Sequence, residues 1–128
     1  MRLRSLLFVP GDRPDRMVKA PGVGADALIL DLEDSVAPAG EAGAPRAVAA
    51  FVEANAAAKL WVRVNPLDSA EIDKDLAAIL PAHPDGIVLP KAEGGASVAE
   101  LARRLSGRGN AAPPIMAIPT ASPAAVVP

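Results

Sequence analysis

Five short apolar runs, separated by four stretches with helical spacing, limit what this chain can fold into. The runs are Ser5 to Val9, Asp26 to Glu33, Leu60 to Asn65, Gly86 to Lys91 and Pro114 to Pro119. Each has the length of a strand and is short for a helix. Between them, Arg13 to Ala20, Glu41 to Ala57 and Glu71 to Leu80 place apolar residues at helical spacing, and Val98, Leu101, Ala102 and Leu105 mark a fourth helix that Gly107 and Gly109 end. Asp12 is a plausible N-cap for the first helix. Pro45 is expected near the start of the second, because a proline deeper inside costs about 3 kcal/mol. Strand and helix in strict alternation argue for a parallel sheet with right-handed crossovers.

The second run, Leu28-Ile-Leu-Asp-Leu-Glu-Asp34, ends in the carboxylates Asp31, Glu33 and Asp34. In parallel α/β folds ligands gather at the carboxyl ends of strands, so acids placed there offer metal ligands, a base or partners for a cation. The competing reading makes Glu33 and Asp34 simple caps of the second helix. The other runs also end in polar chemistry: Pro10-Gly11-Asp12-Arg13, Arg63 with Asn65, and Lys91 with Glu93. Chemistry shared among many strand ends is the habit of barrels. A (β/α)8 barrel takes about 250 residues. The expected fold is therefore a partial (β/α)8 TIM-type barrel of about five parallel strands and four to five helices, of which 128 residues would supply roughly half, with an open five-stranded sheet as the alternative.

Composition excludes several functions. A hydrophobic content of 51% supplies a core, and a net charge of −2 with interspersed signs offers no basic face for nucleic acid. Without cysteine there is no disulfide framework and no thiolate nucleophile or metal ligand, which fits a cytoplasmic protein. The basic N-terminus has too short an apolar part before Pro10 for a secretory signal. Nothing approaches the roughly 20 apolar residues that span a bilayer.

Four ordered motifs carry a resemblance: Arg4-Ser-Leu-Leu-Phe-Val-Pro-Gly-Asp-Arg-Pro14, Gly24-Ala-Asp-Ala-Leu-Ile-Leu-Asp-Leu-Glu-Asp-Ser-Val-Ala-Pro38, Val62-Arg-Val-Asn-Pro66 and Asp85-Gly-Ile-Val-Leu-Pro-Lys-Ala-Glu93. Together they resemble the citrate lyase beta subunit and malyl-CoA lyase family, the HpcH/HpaI aldolase superfamily of CoA-ester lyases. The resemblance implies a trimeric or hexameric (β/α)8 barrel that uses Mg²⁺ to make or break a carbon–carbon bond, with residues 1–128 as the N-terminal half of the barrel domain. The reacting pair would be an acyl-CoA enolate and a small keto acid, oxaloacetate- or glyoxylate-like.

Carried over residue by residue, the resemblance makes Arg63 the arginine that holds the substrate carboxylate and the oxygen on which enolate charge develops, a task suited to a fixed fork of donors. Its structural alternative is a strand-end arginine paired with Glu33. Glu33 and Asp34 resemble carboxylates that orient the arginine and the metal's waters, and Lys91 and Glu93 are weaker candidates of that kind. Phe8, Arg13 and Lys19 fall where the family contacts the CoA ester and keto acid. Equally, Arg13 and Lys19 could be solvated helix charges and Phe8 plain core. His83 is expected in a loop at the opposite end of the barrel. The family glutamate that binds Mg²⁺ corresponds to Ala121, and a second ligand, an aspartate near strand six, would lie beyond the chain end. By resemblance the metal ligands are thus incomplete. Three readings stay open: a CoA-ester lyase, a truncated and catalytically inactive fragment, or an assembly module that needs a second chain.

Overall fold

The computed structural model describes residues 6–12, 14–20, 27–33, 43–55, 58–92, 95–106 and 113–119. In chain order these form β1 (Leu6–Pro10), α1 (Pro14–Lys19), β2 (Ala27–Asp31), α2 (Ala44–Ala54), β3 (Leu60–Arg63), α3 (Ile72–Ile79), a short 3₁₀ turn (Leu80–Ala82), β4 (Gly86–Ala92), α4 (Gly95–Ser106) and β5 (Ile115–Pro119). All five strands run parallel in one sheet, in the order β1-β2-β3-β4-β5.

That unreversed order decides on which side the helices lie. Successive side chains on a strand point to opposite faces, and the two faces here have different company. Val9, Leu28, Leu30, Leu60, Val62, Ile87 and Leu89 pack against Met17 of α1, Val48 and Val52 of α2, Leu76 and Ile79 of α3, and Leu101 and Leu105 of α4. The opposite face gathers Ala27, Ile29, Trp61 and Val88, with Phe8 and Met116 against them, and no helix residue joins that cluster among the described residues. A sheet that keeps all its crossover helices on one face is an arc of a (β/α) barrel, as expected from the sequence. On the helix-free face Trp61 lies beside Gly86, where a Cβ would come within 2.3 Å of the indole ring. A side chain at that position would displace the ring.

Strand lengths differ from the sequence expectation for identifiable reasons. β2 ends at Asp31, not Glu33, because the Asp31 carboxylate accepts the Glu33 backbone N–H at 2.9 Å and turns the chain out of the ladder. β3 ends at Arg63, not Asn65, because the Asn65 N–H goes to the Asp75 carboxylate at 2.8 Å. Between Leu89 and Ala92 the β4–β5 register shifts. Pro90 sits within that interval and has no N–H for the ladder, a usual reason for a bulge. Pro45 lies in the first turn of α2, as its geometry requires.

Candidate functional site

Polar chemistry concentrates where β1, β2 and β3 end. The parallel register sets Pro10, Asp31 and Arg63 side by side across the three strands, two residues beyond Ile29 and Trp61 on the helix-free face. Arg63 donates from Nε to Asp31 Oδ1 at 2.8 Å and from Nη2 to Asp31 Oδ2 at 2.5 Å. This is the paired-donor, paired-acceptor geometry that makes arginine–carboxylate bonds directional as well as strong. Asp31 is fully buried, while the Arg63 side chain keeps 15% of its surface exposed. An isolated carboxylate would not persist at such a depth, so the ion pair is a condition of Asp31 being there at all.

Two further side chains complete the cluster. Glu33 Oε1 lies 3.7 Å from Arg63 Nε, itself nearly buried. The Arg63 guanidinium carbon stands 4.6 Å from the centroid of the Phe8 ring, within the range in which an aromatic face attracts a cation. Acid on one side and an aromatic face on another hold the guanidinium plane.

The backbone around this cluster is equally tied. Gly11 N–H donates to the Asp31 carbonyl at 2.8 Å, Leu32 N–H to the Arg63 carbonyl at 2.9 Å and Val64 N–H to the Val88 carbonyl at 3.1 Å. A Cβ at Gly11 would lie 2.7 Å from the Asp31 carbonyl oxygen and 2.8 Å from Val48 Cγ2. Glycine is needed there for the close approach of two backbones. Pro10-Gly11 thus presses the turn after β1 onto the end of β2.

Several sequence expectations meet in this cluster and others do not. Phe8, Glu33 and Arg63 are brought together. Glu33 does not cap the second helix: α2 begins at Ala44 with Gly43 as its N-cap, and Glu33 faces Arg63 instead. The principal partner of Arg63 is Asp31 and not Glu33, whose contact is longer. Asp31 is one of the three acids that the sequence places at the end of the second run as candidate partners for a cation, but its pairing with Arg63 shows only once the strand register is known. Asp75 was not singled out in the sequence. Lys19 is exposed in the last turn of α1 with no ion pair among the described residues, in keeping with a solvated helix charge. Arg13, Asp34, Glu93 and Ala121 lie outside the described residues, and of Lys91 only the backbone, in β4, is described. His83 is exposed in the loop before β4, at the amino ends of the strands.

For a metal ion the described residues do not suffice. No group of three or more His, Cys, Asp or Glu side chains converges among them. Both Asp31 oxygens face the Arg63 fork, which leaves a hard divalent cation without the set of oxygens it requires. Among the described residues no helix is long and apolar enough to cross a membrane.

Residues 4–111 match the family model described as HpcH/HpaI aldolase/citrate lyase. A citrate lyase subunit beta-like protein of Deinococcus radiodurans is 41% identical over 112 residues, which cover 83% of this chain and 39% of that relative. Among solved structures, a citrate lyase beta subunit of Mycobacterium tuberculosis complexed with oxaloacetate and magnesium superposes with a TM-score of 0.72 at 34% identity, over 91% of this chain and 48% of that one. A structure of the protein CitE from the same organism, in complex with magnesium, acetoacetate and coenzyme A, matches with the same TM-score and identity over 40% of its length. The chain spans less than half the length of these proteins.

Proposed function

Since the chain belongs to the HpcH/HpaI aldolase/citrate lyase family, we propose that it carries the carboxylate-anchoring part of a CoA-ester lyase site. In this role Arg63 receives the carboxylate of an oxaloacetate-like keto acid. The observation that carries the reading is the fixed guanidinium of Arg63, gripped by Asp31 and backed by Phe8 at a strand's carboxyl end. A cation whose plane is already set loses little freedom when an anion arrives, and it remains charged at any working pH. Asp31 and Glu33 are the positioning carboxylates. Phe8 supports the guanidinium and lines the approach to it.

The charge balance sharpens this assignment. Among the described residues Arg63 contributes one formal positive charge and Asp31 with Glu33 two negative ones, so these three side chains alone offer a dianionic keto acid no net positive charge. Binding therefore rests on directed hydrogen bonds from Arg63 and on positive charge contributed from outside the trio. Magnesium accompanies oxaloacetate in the Mycobacterium tuberculosis neighbour, and for the family it supplies that charge. In this chain the position that the family resemblance assigns to a magnesium-binding glutamate is Ala121, whose methyl group ligates nothing.

Calorimetric titration of the chain with oxaloacetate, with magnesium in the buffer, tests the anchor. Binding that Arg63→Ala weakens at least tenfold, the effect of one lost charge-assisted bond of about 1.5–3 kcal/mol, supports the reading. Equal affinity in the two proteins, or no binding by the unaltered chain, overturns it. Carbon–carbon cleavage by the chain alone is expected to fall more than about a thousandfold below that of a metal-complete relative, since metal charge stabilisation is worth several kcal/mol. Cleavage assays with malyl-, citramalyl- and citryl-CoA, run alongside Ala121→Glu, check this. Turnover by the unaltered chain that disappears with EDTA would contradict it.

A further inference from the structure

A third buried carboxylate, Asp75, lies outside the site described so far. It lies in the first turn of α3 and is 1% exposed, although a first-turn acid could interact with the helix dipole from the surface, as its neighbour Asp73 does without burial. Sinking the charge adds a desolvation cost that only good hydrogen bonds offset. Asp75 Oδ2 accepts two: one from the Asn65 backbone N–H at 2.8 Å and one from Asn65 Nδ2 at 2.8 Å. Main chain and side chain of one residue are thus held at a single oxygen.

Asn65 is two residues beyond Arg63, at the point where β3 leaves the sheet. Upstream, Val64 N–H is bonded to the Val88 carbonyl at 3.1 Å. Downstream, Ser69 closes a tight turn, its N–H 2.9 Å and its hydroxyl 2.7 Å from the Pro66 carbonyl. Asp75 is the group that ties this exit to α3. We propose that Asp75 is a positioning residue, which through Asn65 fixes the end of β3 and so the direction in which Arg63 presents its guanidinium. This deepens the assignment of Arg63 as the anchor and rests on it for its functional meaning.

The mechanism separates substitutions by shape and charge. In Asp75→Asn an amide oxygen can stand where Oδ2 stands and accept both bonds as a neutral group. Asp75→Ala removes the acceptor of the part-buried Asn65 N–H, whereas Asn65→Ala removes the side-chain bond and keeps the backbone one.

The test uses the whole chain, labelled with ¹⁵N, and follows solvent exchange of the Arg63 Nε–H, which is bonded to Asp31. The control is the Leu60 backbone N–H at the opposite end of the same strand, bonded to Asp85 Oδ2. Asp75→Ala is expected to speed Arg63 Nε–H exchange about tenfold or more, Asn65→Ala less, and Asp75→Asn little, with Leu60 unchanged in all three; tenfold corresponds to about 1.4 kcal/mol. Oxaloacetate affinity should fall in the same order. Unchanged Arg63 exchange in folded Asp75→Ala and Asn65→Ala overturns the proposal, as does equal acceleration at Arg63 and Leu60, which would mean general loosening. If Asp75→Ala does not fold, Asn65→Ala with Asp75→Asn decides. If the unaltered chain binds no oxaloacetate, the anchoring role of Arg63 fails, while the exchange measurement still decides whether Asp75 positions it.

Discussion

Strand β3 is fastened at both ends by an aspartate, and the two ends are built differently. At its amino end Asp85, an exposed residue, accepts the Leu60 N–H at 2.7 Å, and Asp85 N–H returns a bond to the Leu60 carbonyl at 2.8 Å. At its carboxyl end Asp75, nearly inaccessible, accepts the Asn65 N–H at 2.8 Å. The two N–H to carboxylate bonds, 2.7 and 2.8 Å, are nearly equal in length, so burial is not needed to hold the strand. The three buried carboxylates among the described residues, Asp31, Glu33 and Asp75, all stand at the carboxyl end. Desolvating them costs stability that the exposed arrangement at the amino end avoids. The amino end is a joint, and the carboxyl end spends stability on orienting polar groups. A cavity of about 420 Å³ lies at the amino end, lined by Val52, Leu60, Ala82 and His83 among others.

Substitutions can break this contrast. The largest effect is expected for Asp31→Ala, which leaves the Arg63 guanidinium facing a buried gap and should cost about 3–5 kcal/mol in urea unfolding followed by Trp61 fluorescence. A loss below about 1 kcal/mol would show that the carboxyl-end charges are not held as described. Gly86→Ala, at the amino end, should cost about 1–3 kcal/mol through overpacking against the Trp61 ring. It probes shape where Asp31→Ala probes charge, and a neutral outcome would mean that the indole has room to move.

Smaller effects sharpen the picture. Asp85→Ala removes one hydrogen bond to Leu60 and should cost about 0.5–1.5 kcal/mol in the same unfolding assay. Oxaloacetate affinity should not change, and a tenfold loss would make the amino end part of the binding machinery. The slightest change is expected at His83, whose φ of 59° places a non-glycine residue in the left-handed region. His83→Gly should raise stability by up to about 1 kcal/mol, the conformational relief being partly offset by the freedom glycine gains in the unfolded chain. Thermal melts of the two proteins measure it.

The contrast also explains what could be seen in the sequence. Strand and helix alternation was legible because hydrophobic period and the punctuation by Pro10, Gly11, Pro66 and Pro114 are local properties. Arg63 and Glu33 were singled out because the family resemblance assigns them roles at strand ends, not because of their local pattern. Asp31 stands between two leucines as Arg63 stands between two valines, and its partner is given only by the arginine across the strand. Asp75 reads locally as an ordinary acid of a helix's first turn, and its burial depends on where α3 docks. The ends of β2 and β3 were placed two residues too far, in both cases because an aspartate carboxylate draws off a backbone N–H that would otherwise extend the ladder.

Thus the order of elements, the parallel arrangement and the end of the sheet at which polar chemistry gathers follow from the sequence by itself, because each depends on residue type and spacing along one segment. The partner of every buried charge was decided by tertiary structure. Whether Arg63 pairs with Asp31 or Glu33, and whether Asp75 faces solvent or Asn65, depends on register and helix docking. Those are set by the packing of apolar residues that lie far apart in the chain, and desolvation then allows only the charge pairings that this packing brings within hydrogen-bond distance.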